Sequence, residues 1–269
     1  MPGVFIDSRC HLMPDRLALA IRRFFDDHMG WGQLAYAGVG HADILRAQRD
    51  AGTDRFWALP YAHKPGIAAG LNEWMAQEVA PLPQAEAGAT FHPEDSDLPA
   101  LVERAFGTLG LRLAKLHCSV GNFAADDARL APLWDTAEAR GIPVVVHAGH
   151  HVSGHTFADE LAPIERVANA HPQLHLVIAH AGLPDIDAGL DVLARHPAVY
   201  ADLTSAAEWR STLPIARIEA LHERLLFGSD CPNTTMSIAD SAAWLRRQEL
   251  SARALQAILG ENAARLLPR

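Results

Sequence analysis

Residues 143–149 read P-V-V-V-H-A-G and residues 174–182 read L-H-L-V-I-A-H-A-G. Between them, the apolar residues of Leu161–Ala170 return every three or four positions, the period of a helix with one buried face. A short β-branched run, a helical crossover and a second such run make a βαβ unit. Each run ends on the same tripeptide, His-Ala-Gly, so a polar side chain stands where each strand gives way to a loop.

Outward from this unit the pattern repeats. Val4–Ile6, Arg55–Leu59, Ala87–Phe91, Leu111–Leu116, Pro143–Val146, Leu174–Ala179, Val199–Leu203 and Leu225–Phe227 are eight candidate strands. Asp97–Phe106, Ala131–Arg140, Leu161–Ala170, Ile186–Arg195 and Pro214–His222 carry helical periodicity between them. The first crossover is the longest, with helices predicted over Arg16–His28 and Ala42–Ala51 around the aromatic, glycine-rich segment Gly30–Gly40. Ala80–Gly88, with two prolines, reads as a connection into strand three. Ile238–Arg247 and Ala252–Leu267 close the outer ring. Alternating β and α segments imply a parallel sheet, and eight units without a second domain favour an α/β fold closed as a (β/α)8 TIM barrel, one domain over residues 1–269.

Composition sets limits. The chain has 269 residues, 49% hydrophobic and 20% charged, enough to bury a sizeable core. Its formal net charge of -9 comes without a Lys/Arg run, which argues against nucleic acid as a partner. No apolar run is long enough for a bilayer, and no charged leader precedes Val4-Phe5-Ile6, so the expected location is the cytoplasm without membrane association. Cys10, Cys118 and Cys231 are odd in number and lack paired spacing, so reduced thiols are expected.

In a (β/α)8 enzyme the reacting groups sit where strands end, and nearly every strand here offers one. Strand one ends Asp7-Ser8-Arg9-Cys10-His11, strand three His92-Pro93-Glu94-Asp95, and strand four Lys115-Leu116-His117. Strand five ends on His147, strand six on His180, strand seven on Asp202 before Thr204, and strand eight on Ser229-Asp230-Cys231. Period-two alternation would put Asp7, Arg9 and His11 on one face and turn the cysteines toward the helix layer. A divalent metal needs neutral imidazoles and carboxylates from several elements, and His11, His147 and Asp230 could supply three ligands. His180 could orient or deprotonate an attacking water, with Asp230 accepting a proton.

Blander readings stand beside these. A lone strand-end histidine is more often a hydrogen-bonded structural residue, and only the run of several reverses that preference. His92 and His117 divide evenly between substrate contact and structural hydrogen bonding. His150, His151 and His155 read as solvated loop residues, and Trp31, Tyr36 and Trp74 are left unassigned between covering a substrate, subunit contact and packing under the first crossover. Lys115 reads as an anion-binding group beside His117, with an ion pair or carbamylated ligand as alternatives.

The motifs D-S-R-C-H-L, K-L-H, V-V-V-H-A-G, I-A-H-A-G and F-G-S-D-C-P, in that order, resemble amidohydrolase-related proteins. Y-A-H-K-P-G at Tyr61–Gly66, F-H-P-E-D at Phe91–Asp95 and G-E-N-A-A-R-L at Gly260–Leu266 extend the resemblance to the branch of metal-dependent hydrolases and decarboxylases similar to aminocarboxymuconate-semialdehyde decarboxylase. The resemblance implies one divalent metal, with zinc expected, on His11, His147 and Asp230, and a water- or substrate-activating role for His180. His117 falls within its strand-four motif. Arg9 departs from the pattern, because the family places a histidine or glutamate there and a guanidinium has no lone pair to donate.

Three outcomes are physically sensible: three protein ligands, a site that recruits His117, or a metal-free site in which Arg9 binds a substrate carboxylate. The leading expectation is a hydrolase of a small amide, ester or lactone, with Arg9, Lys115, His117 and His92 contacting a small-molecule substrate for which an anionic group is left open. A decarboxylase is the nearest alternative and a non-catalytic binding paralogue the alternative of another class. The sequence leaves a homo-oligomer open.

Overall fold

The computed structural model describes residues 3–28, 34–149 and 157–267. His150, His151, His155 and Trp31, for which roles were considered above, lie outside the described residues. Eight strands, β1 (Ile6–Cys10), β2 (Arg55–Ala58), β3 (Ala85–Thr90), β4 (Leu113–Leu116), β5 (Val144–Val146), β6 (Leu176–Ile178), β7 (Val199–Asp202) and β8 (Leu225–Leu226), follow one another across a single sheet in chain order. The pairs β1–β2 and β3–β4 through β6–β7 are parallel. Helices alternate with them: α1 (Asp15–His28), α2 (His41–Ala51), α3 (Ala68–Trp74), α4 (Leu98–Glu103), α5 (Cys118–Gly121), α6 (Ala131–Arg140), α7 (Phe157–Ala170), α8 (Ile186–Arg195), α9 (Ile215–Leu221), α10 (Ile238–Arg246), α11 (Ala252–Gln256) and α12 (Asn262–Leu266). Eight parallel strands with interleaved helices are the (β/α)8 TIM barrel that the alternation predicted. Among the described residues no helix is long and apolar enough to cross a membrane.

The chain divides into two compact units, one of Met1–Ala58 with Leu203–Arg269 and one of Leu59–Asp202. The first contains β1, β2 and β8. There the Asn262 amide donates to the carbonyls of His222 and Leu225, both at 2.7 Å, and ties the start of α12 to β8. The second contains β3 to β7, whose Val144–Val146 and Leu176–Ile178 runs are wholly buried. Its Asn72, on α3, gives and takes a backbone hydrogen bond at Thr90, 3.0 and 2.8 Å, and so extends the ladder at the end of β3 with a side chain.

Two departures from the sequence reading have physical causes. The helical stretch after β2, α3 continued by a π-helical turn over Met75–Val79, was not predicted, although Ala68, Leu71, Met75 and Val79 are its buried stripe. The first strand lies later than Val4–Ile6, because its residues Asp7 to Cys10 are polar yet buried and paired. It also carries a bulge: Asp7 pairs with Phe56 and Cys10 with Ala58, three residues of advance against two. Strict alternation therefore fails, and Asp7 does not share a face with Arg9 as expected. Its carboxylate and Cys10 both reach Gln48 of α2 instead.

Asp7 is fully enclosed. Its Oδ1 accepts the amides of Ser229 and Arg9 at 2.9 and 3.2 Å, and its Oδ2 accepts the Ser229 hydroxyl and the Gln48 amide at 2.6 and 2.7 Å. Burial pushes the carboxyl up to about 6, and these four donors restrain it from going further. A raised acid favours the folded state in its protonated form. Its contribution is therefore complete below the ordinary carboxylate range, near pH 4, and is lost as pH rises through about 6. The expected fall is on the order of 3 kcal/mol. Urea unfolding between pH 4.5 and 7.5 should show this slope in the parent and its absence in Asp7→Asn; an unchanged slope in the variant would remove Asp7 from the account.

Candidate active site

In the first unit, the end of β1 meets the segment after β8. Cys10 bridges Cys231 as in a parallel ladder, the His11 amide donates to the Cys231 carbonyl at 2.7 Å, and the Asp230 amide donates to the Arg9 carbonyl at 2.9 Å. This backbone pairing fixes three predicted site residues together. Arg9, 1% exposed, donates from Nε to Asp230 Oδ1 at 2.8 Å, and His11 Nε2 lies 3.1 Å from the same oxygen. Asp230 has a φ of 63°, a left-handed conformation that a non-glycine residue keeps only where its surroundings enforce it.

In the second unit, strands β4, β5 and β6 gather three histidines. His117 caps α5: its Nδ1 accepts the Val120 amide at 3.4 Å, which leaves the proton of a neutral ring on Nε2. Its ring stacks on that of His147, with centroids 3.9 Å apart and planes 15° from parallel, and leans on Tyr61 at 5.0 Å. The His147 ring meets His180 edge to face at 5.2 Å. Beneath His147 lies Glu160 of α7, whose Oε2 takes both the His147 Nδ1 hydrogen and the Gly149 amide at 3.0 Å. That contact fixes the tautomer, with the hydrogen on Nδ1 and the lone pair on Nε2.

His180 sits on a turn of left-handed residues, with φ of 59° at His180 and 46° at Ala181, held by its amide's bond to Asp202 Oδ1 at 2.9 Å. Asp202 is thus a positioning residue for the turn. Lys115 is fully buried on β4, beside the Cys118 thiol, which burial pushes well up and Lys115 pulls part of the way back. A cavity of about 160 Å³ next to these groups is lined by Cys118, Ser119, Phe123 and Glu160 among others. His92 commits both ring nitrogens to backbone, Nε2 to the Gly121 carbonyl at 3.1 Å and Nδ1 to the Glu94 amide at 3.2 Å, so any substrate contact would use its ring carbons. All three cysteines are buried and free, as expected.

Glu160 was missed in the sequence. Its signal is positional: Glu160, Ile164 and Val167 stand at i, i+4 and i+7 on the buried face of α7, and a carboxylate in an apolar stripe requires a partner.

The fit of these residues to a divalent metal can be tested on their donors. His147, backed by a carboxylate, suits a ligand. Asp230 suits one less well, because its Oδ1 accepts from a permanent cation that would lie close to a dication even at Oδ2, and His11, with its proton on Nε2 to bond Oδ1, has no lone pair to offer from that nitrogen. Among the described residues, no three His, Cys, Asp or Glu side chains are gathered as a metal set. The residues at β1 and β8 therefore do not fit the group that the resemblance implies.

Comparison with known proteins bears on the family and the fold. The family model described as Amidohydrolase matches residues 6–269. No curated protein matches the chain. Among solved structures, an uncharacterized TIM-barrel protein from Bordetella bronchiseptica is 21% identical, with 98% of each chain covered and a TM-score of 0.77. A 5-carboxyvanillate decarboxylase from Sphingomonas paucimobilis is 18% identical, with 98% of each chain covered and a TM-score of 0.67. A dihydroxybenzoic acid decarboxylase from Polaromonas, solved with bound manganese and 2-nitroresorcinol, is 18% identical over 98% of this chain and 96% of that one, with a TM-score of 0.73.

Proposed function

The chain belongs to the amidohydrolase family, and from that premise we propose that it hydrolyses a small, anionic ester, lactone or amide. The observation that carries this reading is the buried Glu160–His147 pair with His117 stacked on its ring. A carboxylate on Nδ1 holds the His147 Nε2 lone pair ready to take a proton from water, and leaves the nascent imidazolium with a counter-ion. The His117 Nε2 hydrogen donates to the oxygen that gains charge as water adds to the carbonyl. The His147 imidazolium then returns that proton to the leaving group, and His180, edge to face with the His147 ring, holds the imidazole in place. Lys115 supplies the positive charge for a substrate carboxylate, and the Arg9–Asp230 pair fixes the strand ends on which His11 is carried.

Decarboxylation is the second reading, favoured by the fold shared with two aromatic-acid decarboxylases. The same residues would hold a carboxylated ring and deliver a proton to carbon. A panel of lactones, aryl esters, amides and hydroxylated aromatic acids, assayed for acid release and for carbon dioxide, separates the two. Ring opening or ester cleavage without carbon dioxide is the expected result, carbon dioxide release from an aromatic acid would replace hydrolysis by decarboxylation, and inertness to the whole panel would count against both.

Glu160→Gln provides a finer test. The amide oxygen can still accept from His147 and Gly149, so the tautomer survives while the counter-charge goes. Turnover should fall on the order of 10- to 100-fold, and the acidic limb of the pH–rate profile should move to lower pH. A fall in turnover with an unmoved profile would make Glu160 a packing residue only.

A further inference from the structure

We infer that the Arg9 guanidinium, at the strand-one position where the resemblance expects a metal-ligating residue, supplies positive charge in place of a dication, so that this chain works without a metal ion. Two of the three expected ligands come from β1 and the segment after β8, and Asp230 Oδ1 and His11 Nε2 are engaged with each other and, at Oδ1, with Arg9. The guanidinium is charged at any working pH and offers only hydrogens, and its Nε points one of them at Asp230 Oδ1, 2.8 Å away. His11 Nε2 at 3.1 Å from the same oxygen carries its hydrogen toward the carboxylate, not a lone pair toward a metal. A dication on Oδ1 would displace two donors, and one on Oδ2 would still lie close to a buried cation of like charge.

The backbone is built around this arrangement. Arg9 is the last residue before the bridge of Cys10 to Cys231, and its carbonyl takes the Asp230 amide at 2.9 Å. Gly228 leaves room for the Arg9 stem, because a Cβ there would stand 2.7 Å from the Arg9 Cβ and 2.3 Å from Thr204 Oγ1. The guanidinium is therefore held from both its ends of the pairing, by main chain and side chain. The inference holds for hydrolysis and decarboxylation alike, since it concerns only the charge at this carboxylate.

The test is calorimetric titration of chelator-treated protein with manganese and with zinc, for the parent, Asp230→Asn and Arg9→His, each checked for folding by circular dichroism. The readout is heat of binding, so it stands whether or not the proposed hydrolysis does. The expected result is that neither the parent nor Asp230→Asn takes up an equivalent tightly, while Arg9→His, with a second imidazole and a released carboxylate, binds one equivalent at least about 100-fold more tightly than either. One equivalent bound tightly by the parent would overturn the inference, with its loss in Asp230→Asn locating the site at this carboxylate, as would an Arg9→His protein no better at binding than the parent. Should Asp230→Asn not fold, His11→Gln takes its place in the same comparison, and should Arg9→His not fold, Arg9→Gln, which removes the charge, must bind more tightly than the parent.

Discussion

His147→Asn should lower turnover by about 10²- to 10⁴-fold while the protein keeps its fold. The choice of asparagine matters. Its side-chain amide can occupy the place of the imidazole Nδ1 and donate to Glu160 Oε2, now 3.0 Å from that nitrogen, so the buried carboxylate keeps its partner and the large penalty of an orphaned charge is avoided. What is lost is the Nε2 nitrogen alone. Turnover on the best substrate of the panel, with urea midpoints measured in parallel, reads the two effects separately. Activity within a factor of about three of the parent, in a folded variant, would remove His147 from the chemistry and with it the general-base reading. A second consequence is that Glu160→Gln in the His147→Asn background should add little, because the two residues act as one unit and their losses are not additive.

Much of this site was legible because strand ends in a barrel carry function and the polar residues there break an apolar run. His117, His147 and His180 follow continuous buried strands, so a polar residue in each is conspicuous, and the structure brings their rings into contact. The order of eight strands came from the same signal, and the helices Ala131–Arg140 and Ile186–Arg195 lie where their periodicity put them. Legibility failed where burial and polarity coincide. β1 is a strand made of Ile6-Asp7-Ser8-Arg9-Cys10, whose polar members are satisfied by the segment after β8 rather than by solvent, and hydrophobic periodicity has no view of such pairing. A one-residue bulge then reversed the face assigned to Asp7, which no composition argument anticipates.

Glu160 shows the same limit from the other side. Its role depends on a contact between α7 and the end of β5, 13 residues apart in sequence, and only its place on an otherwise apolar helical face hinted at it. Arg9, in contrast, was conspicuous as a departure from a motif, yet its meaning needed geometry. A guanidinium at that position could have pointed at a substrate; instead its Nε is bound to Asp230, one of the expected metal ligands.

Gly189→Ala should destabilise the protein by about 2 kcal/mol or more and reduce turnover by about 10²-fold, although Gly189 touches none of the reacting groups. In most helices this change is favourable by about 1 kcal/mol, because alanine restricts the unfolded chain and suits the helix. Gly189 lies in α8 where that helix packs on the left-handed turn of His180 and Ala181, and a Cβ there would stand 2.1 Å from the Ala181 carbonyl oxygen and 2.7 Å from its carbon. Both are backbone atoms, so no side chain can swing aside. Either α8 or the turn must move by about an ångström, and the turn is what aims the His180 ring at His147. Gly70→Ala in α3 supplies the control, since a Cβ at that exposed position meets nothing within 4 Å, and it should raise stability by about 0.5–1 kcal/mol. Urea midpoints of opposite sign for two glycine-to-alanine changes, both in helices, would isolate the packing of α8 on the turn as the cause. Equal midpoints would mean that α8 yields without strain, and the coupling between Gly189 and His180 would have to be abandoned.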